Sequence, residues 1–158
     1  MTKAAPQRIT NLRRPILPVE AAQPDGVPAG QVVPVPMTAV DRRRVRRRLT
    51  APDGAELRIA FPTGTVLTPG LLLEERDGVS YVVAAAPEDV AVLTLRTPAE
   101  AVRVAHAIGN LHRDLVEDGP VFLALWDAPM ELLLTRLGVP FTRETRPFYG
   151  RPSWEHEG

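Results

Sequence analysis

Apolar and polar residues alternate through the middle of the chain. In "AELRIAFP" (55–62), Leu57, Ile59 and Phe61 alternate with polar or small neighbours, the pattern of a strand with one buried face. The preceding "RRRVRRRLT" (42–50) reads as its hairpin partner, joined through Asp53-Gly54, a pair that supplies the positive φ values of a tight turn. In that partner, Val45 and Leu49 share one side with Arg43 and Arg47, while Arg44, Arg46 and Arg48 point the other way. "GTVLTPGLLLEE" follows, and a second hairpin turns at Asp77-Gly78 and returns through "VSYVVAAA". Together these segments predict a small antiparallel β domain over 41–86, ending near Ala86-Pro87.

The rhythm then changes. "DVAVLTL" predicts a strand, and Thr97-Pro98-Ala99-Glu100 a helix start, with Thr97 as cap, Pro98 at the first helical position and Glu100 closing a capping box. Ala101, Val104, Ala105 and Ile108 give that helix its buried stripe, and Gly109 is expected to stop it in a left-handed conformation. Two short strands are expected at about 113–117 and 120–125. Asp127 caps a second helix whose stripe is Met130, Leu133, Leu134 and Leu137 and whose end is Gly138, and "VPFTRETRPF" is a last strand. The order β-α-β-β-α-β over 87–149 is that of a ferredoxin-like sandwich, two helices on one face of a four-stranded antiparallel sheet. The fold class is therefore α+β. Residues 1–40 are rich in proline and glycine and read as an irregular arm, with "RITNL" as a short edge strand. Residues 150–158 read as a flexible tail.

Composition narrows the function. There are no cysteines, which removes disulfides and thiolate metal sites and suits a reducing compartment. No run approaches a transmembrane span, and the N-terminal stretch has no long apolar core, so a cytoplasmic protein without membrane contact is expected. The zero net charge hides an asymmetry. Residues 1–48 hold ten Lys/Arg and three acids, leaving nine basic and sixteen acidic residues for the remainder. The run Arg42–Arg48 could contact nucleic acid, but it has no interleaved aromatics and lies in no nucleic-acid-binding motif. A solvated strand face, or a docking surface for an acidic protein, accounts for it better. No nucleophile motif, Walker loop or dinucleotide fingerprint is present, and Asp114, Glu117 and Asp118 read as an acidic turn rather than a catalytic pair. Enzyme function is not expected.

Candidate chemistry centres on "AHAIGNLH" (105–112), which holds two of the three histidines. His106 falls in the last turn of the first helix and His112 past Gly109, so the two are poorly placed to chelate one ion within a subunit. A two-fold dimer would instead bring one histidine from each chain to the axis, a weak, open site suited to a carrier. Imidazole alone does not choose among nickel, copper, zinc and iron.

The segment "HAIGNLH" resembles the His-x-x-Gly-Asn-x-His signature of the UreE-type urease accessory proteins, which are nickel metallochaperones. "RRRVRRRLTAPDG", "FPTGTVLTPGLLLEERDG" and "VVAAAPEDV" resemble that family's N-terminal domain, and "MELLLTRLGVPFTRETRPF" its second helix and last strand. The resemblance covers about residues 40–149. It implies a homodimer with a peptide-binding-like β domain and a ferredoxin-like metal-binding domain, delivering nickel to apo-urease together with an accessory GTPase. It also implies that His112, one from each subunit, is the shared ligand and that His106 is not the usual one. Zinc and copper are the competing metals. Trp126 and Ala128 stand where some members carry further histidines, and the tail "RPSWEHEG" holds only His156, a candidate accessory ligand with Glu155 or Glu157 beside it. Those departures motivate the alternative of a scaffold module in urease maturation that has lost its metal.

Overall fold

The computed structural model describes the backbone of residues 12–13 and all of residues 30–153. Among these residues it is an α+β structure with three sheets and two α-helices. The first strand, β1 (Leu12–Arg13), lies in the expected arm and pairs in parallel with a later strand. The second, β2 (Gln31–Met37), contradicts the expectation of irregular chain up to residue 40. Val33, Val35 and Met37 are buried and Pro34 and Pro36 are exposed. Proline removes a donor, but β2 is an edge strand and pairs on one side only. Alternate residues share the unpaired side, and the two prolines are alternate, so no ladder bond need be lost.

A 3-10 turn at Asp41–Arg43 leads into β3 (Arg46–Thr50), which pairs antiparallel with β4 (Glu56–Ala60) as a separate two-stranded sheet. The connecting loop runs from Ala51 to Ala55, and only Gly54, at φ 90°, takes a positive φ there. The hairpin β5 (Leu72–Arg76) to β6 (Val79–Ala85) turns on Asp77 at φ 52° and Gly78 at φ 77°, the pair of left-handed residues a two-residue turn requires. Because β2 joins β6 in parallel, this sheet, ordered β2-β6-β5, is mixed rather than purely antiparallel. Val33, Val35, Met37, Leu57, Ile59, Leu67, Tyr81 and Val83 close one core between the two sheets.

Asp53 fastens the first loop to the second hairpin. Its carboxylate accepts from the Ala55 amide at 3.0 Å and from the Tyr81 hydroxyl at 2.8 Å. The amide first, and then the hydroxyl, hold its pKa below the ordinary aspartate value. The unfolded chain therefore takes up this proton more readily, and the contribution is complete above the unfolded pKa and lost as pH falls through the folded one. Asp53→Asn is expected to flatten the acid limb of stability against pH. Urea denaturation across acidic pH tests this, and an unchanged slope would refute it.

Ala86 alone separates β6 from β7 (Pro87–Leu93). Helix α1 (Pro98–Asn110) follows, then β8 (Leu115–Asp118), β9 (Val121–Leu125), helix α2 (Ala128–Leu137) and β10 (Phe141–Pro147). The sheet order is β1-β8-β9-β7-β10, and every neighbouring pair among β7 to β10 is antiparallel. Both helices lie on one face, packing Val104, Ala105, Ile108, Met130 and Leu134 against Ala91, Leu93, Leu115 and Ala124. Each such fully buried Leu, Ile or Met contributes about 1.5–3 kcal/mol. On the opposite face, Val90, Val92, Val116 and Leu123 meet Phe148 and Ala39, the latter from the chain just after β2.

Candidate metal-binding site

Helix α1 begins with Thr97 as cap and Pro98 in its first turn, as its sequence predicts, but the expected capping box is shifted by one residue. The Thr97 hydroxyl accepts from the Glu100 amide at 3.1 Å. Glu100 turns back to Arg96, pairing with its guanidinium at 2.6 Å and accepting its amide at 3.0 Å, one residue before the usual capping-box partner. The far end differs from expectation. Gly109 is an ordinary helical residue, and the helix runs to Asn110. The left-handed position falls on His112, at φ 56°. The His112 amide donates to Gly109 O at 2.9 Å and the Arg113 amide to Ile108 O at 3.4 Å. This is the pair of bonds that closes a Schellman motif, with His112 at the site where glycine is usual.

The loop around His112 is held on two sides. The Arg113 guanidinium pairs with Asp127, whose same Oδ1 accepts from the Met130 amide at 2.9 Å and so caps α2. Asp114 is 4% exposed, and its carboxylate accepts from the Arg151 amide at 2.9 Å, Nε at 3.0 Å and Nη2 at 2.7 Å. Asp114 is thus a buried anchor for the chain after β10 and not part of an acidic turn. Glu117 and Asp118 lie on β8, and Asp118 pairs with Arg146 at 3.3 Å.

His112 itself is exposed, and the two residues that follow it are each held by an ion pair. His106 is exposed on α1, its Nε2 3.3 Å from the Asn110 amide nitrogen. The two histidines thus differ in setting, one within the helix and one beyond its end. Among the described residues, no group of three or more His, Asp or Glu side chains is arranged to hold a metal ion. Trp126 is half-buried under the Arg143 guanidinium, 4.9 Å from its ring centroid, with the Phe141 ring at 5.9 Å. Arg143 is held in turn by Asp89 at 2.6 Å. Ala128 opens α2 and is exposed. Neither position offers a ligand. His156, Glu155 and Glu157 lie outside the described residues.

Sequence reasoning missed one further element. Arg42 does not belong to a solvated strand face. It sits in the 3-10 turn, 3% exposed, and donates to Met37 O at 2.7 Å and to Phe148 O and Gly150 O at 2.9 Å each. For Arg44 to Leu49 the alternation of exposed and half-buried side chains is as expected.

Residues 14–86 match the family described as the N-terminal domain of the UreE urease accessory protein. Over 153 residues the chain is 71% identical to a urease accessory protein UreE from Deinococcus radiodurans, covering 96% of this chain and 99% of the relative. A urease accessory protein UreE from a Synechococcus strain is 49% identical over 129 residues, covering 81% and 87%. A bifunctional urease accessory protein UreEF from Bordetella bronchiseptica is 41% identical over 88 residues, covering 55% of this chain and 20% of that one.

Proposed function

The chain belongs to the UreE family of urease accessory proteins, and on that premise we propose that it is a homodimeric nickel carrier that donates its metal during urease assembly. His112 of each protomer supplies the shared ligands. The observation that carries this reading is the placement of His112, an exposed imidazole on a left-handed backbone position braced by Arg113–Asp127 and Asp114–Arg151. A single imidazole makes a poor metal site, and a two-fold axis doubles it without further ligands. Such a site leaves coordination positions open for transfer to an acceptor. Zinc and copper compete, since imidazole accepts all three.

The unit from β7 to β10 is read as ferredoxin-like, supported by the strand order β8-β9-β7-β10, its antiparallel pairings and the two helices on one face. For the dimer, the supporting feature is the outer side of the helical layer. Val102 there is 53% exposed, one turn from His106, and Leu132 on α2 is 51% exposed. His156 is the proposed accessory ligand. Asp114, two residues from His112, holds Arg151, and the five residues from there to His156 span at most about 18 Å. The tail thus starts beside the His112 loop. The partners proposed are the accessory GTPase and apo-urease. Fusion of a relative into a bifunctional accessory protein supports work within such an assembly. The relatives are named as accessory proteins rather than enzymes, and no helix among the described residues is long and apolar enough to cross a membrane, in keeping with a cytoplasmic carrier.

Calorimetric titration of tag-free protein with nickel, with sedimentation in parallel, tests the reading. A dimer saturating at one tight nickel per two chains is the expected result. Absence of binding would favour the metal-free scaffold, and saturation at one ion per chain would overturn the shared site.

A further inference from the structure

A cavity of about 290 Å³ opens between the 3-10 turn at Asp41–Arg43 and the segment that follows β10. Five stretches of chain wall it: Ala39, the turn itself, the loop between β4 and β5, Val116 on β8, and Tyr149 to Pro152. These walls are fixed. The Leu67 amide donates to Arg42 O at 2.9 Å and the Gly70 amide to Val83 O at 2.8 Å, which seats the loop. The Tyr149–Pro152 side is held by the Arg42 guanidinium on Phe148 O and Gly150 O, and by the Arg151 grip on Asp114. A ligand entering the cavity therefore meets a surface already formed, with little chain left to order.

The charge of the cavity is one-sided. Among the described residues, Arg42, Arg43 and Arg151 line it and no aspartate or glutamate does. Arg151 is matched by Asp114 at 2.7 Å. Arg42 has no such match. It is 3% exposed and bonded to carbonyl oxygens, and among the described residues no carboxylate pairs with it. Glu88 and Asp41 act on it through space and are engaged elsewhere: Glu88 accepts the Ala39 amide at 2.9 Å, and Asp41 pairs with Arg47 at 3.2 Å. A buried cation without an ionic partner is costly, and an anion in the cavity would offset that cost. We infer that this cavity is a binding site for a small carboxylate with an apolar body, its carboxylate set against Arg42 and Arg43 and its body against Val66, Pro69 and Val116.

Size and lining select this class. Small-molecule sites run from about 300 to 1,000 Å³, so this one lies at their lower end and suits a compact acid rather than a nucleotide. The walls between the arginines are largely apolar, from Ala39, Val66, Pro69, Val116 and Pro152. Inorganic phosphate would leave those walls uncovered, and a neutral apolar molecule would leave Arg42 unmatched. A planar guanidinium pairs with a carboxylate through two parallel hydrogen bonds, which a small acid can accept while its body stays on the apolar side. Val116 belongs to the sheet face opposite the two helices, so the site is distinct from the helical layer, and it neither requires nor excludes the nickel site.

The test follows the amide resonances of the full, isotope-labelled chain as benzoate is added, with benzamide and inorganic phosphate as comparison probes. Benzoate is expected to saturate, shifting the amides of Val66, Tyr149 and Arg151. Benzamide has the same ring without the charge and should bind about tenfold more weakly or worse. Phosphate should also bind more weakly than benzoate. In Arg43→Gln benzoate affinity should fall by about tenfold, since one charge-assisted contact is lost. Val66→Glu sets a carboxylate on the wall of the cavity and should weaken benzoate by at least as much. Neither residue is buried, and unshifted amides elsewhere verify that both variants keep the fold. Nickel titration of the two variants should match that of the unaltered protein, which separates this cavity from the metal site. Failure of benzoate to saturate, equal binding of benzamide, tighter binding of phosphate, or unchanged benzoate affinity in the variants would each overturn the inference.

Discussion

Replacing His112 by alanine is expected to abolish tight nickel binding while the protein stays folded. The side chain is exposed and outside all three core clusters. What fixes the loop is its surroundings: the Schellman bonds from the His112 and Arg113 amides, the Arg113–Asp127 pair, and the grip of Arg151 on Asp114. Alanine keeps every one of these. Removing one imidazole per chain takes both proposed ligands from a two-fold site at once, so the loss is of the site rather than a fraction of it. The proposed reading is refuted by retention of full nickel affinity in this variant. His106→Ala, by contrast, should leave nickel affinity nearly unchanged, because His106 sits within the helix with Asn110.

A second substitution at the same place separates ligand from backbone. A left-handed conformation is disfavoured for any residue with a Cβ by roughly 1–2 kcal/mol. His112→Gly relieves that cost, though glycine returns part of it as unfolded-chain entropy. The glycine variant should therefore melt higher than the alanine variant, with neither binding nickel.

Local features of the fold were legible in the sequence. Thr97 and Asp127 cap their helices, Gly138 takes φ 66° after α2, and Asp77-Gly78 makes its turn, because each depends on a few adjacent residues. The end of α1 was misread for a reason of degree. A helical glycine costs only about 1 kcal/mol relative to alanine. Burial of Ile108 favours keeping the last turn, so the helix passes through Gly109 and the left-handed residue falls on His112. The prolines of β2 suggested irregular chain because an edge position cannot be recognised without knowing the sheet order. Arg42 and Asp114 were illegible for another reason. Their partners lie 106 and 108 residues away for Arg42, and 37 for Asp114. No periodicity marks one arginine in a run as the one that turns inward. The candidate ligand was identified by resemblance, while its braced, left-handed setting emerged only from the fold.

Arg42 is expected to be the most costly arginine to remove. Its guanidinium donates to Met37 O at the end of β2 and to Phe148 O and Gly150 O beyond β10, joining segments at opposite ends of the described chain. Burial is the largest influence on its pKa and lowers it, opposed by Glu88, Tyr149 and Asp41, in that order. Arg42→Ala removes the guanidinium from three carbonyls, of which, among the described residues, Met37 O alone keeps another donor, the Ala86 amide at 2.9 Å, a loss of about 3–5 kcal/mol. Arg42→Lys should recover only part of this, because one ammonium cannot reproduce a planar fork aimed at carbonyls on two sides. Exposed Arg46→Ala is the control, expected within about 0.5 kcal/mol of the unaltered protein. Urea denaturation followed by circular dichroism measures all three, and an Arg42→Ala loss below about 1 kcal/mol would show that the contacts are incidental. The consequence extends to the metal site. The Phe148–Arg151 segment that Arg42 holds carries the Arg151 clamp on Asp114. A Cβ on Gly150 would lie 2.6 Å from the Phe148 ring, so this segment has little room to shift. Loosening it at Arg42 releases one of the two braces on the His112 loop. Nickel affinity in Arg42→Ala should therefore fall even at temperatures where the protein remains folded, and in Arg46→Ala it should not.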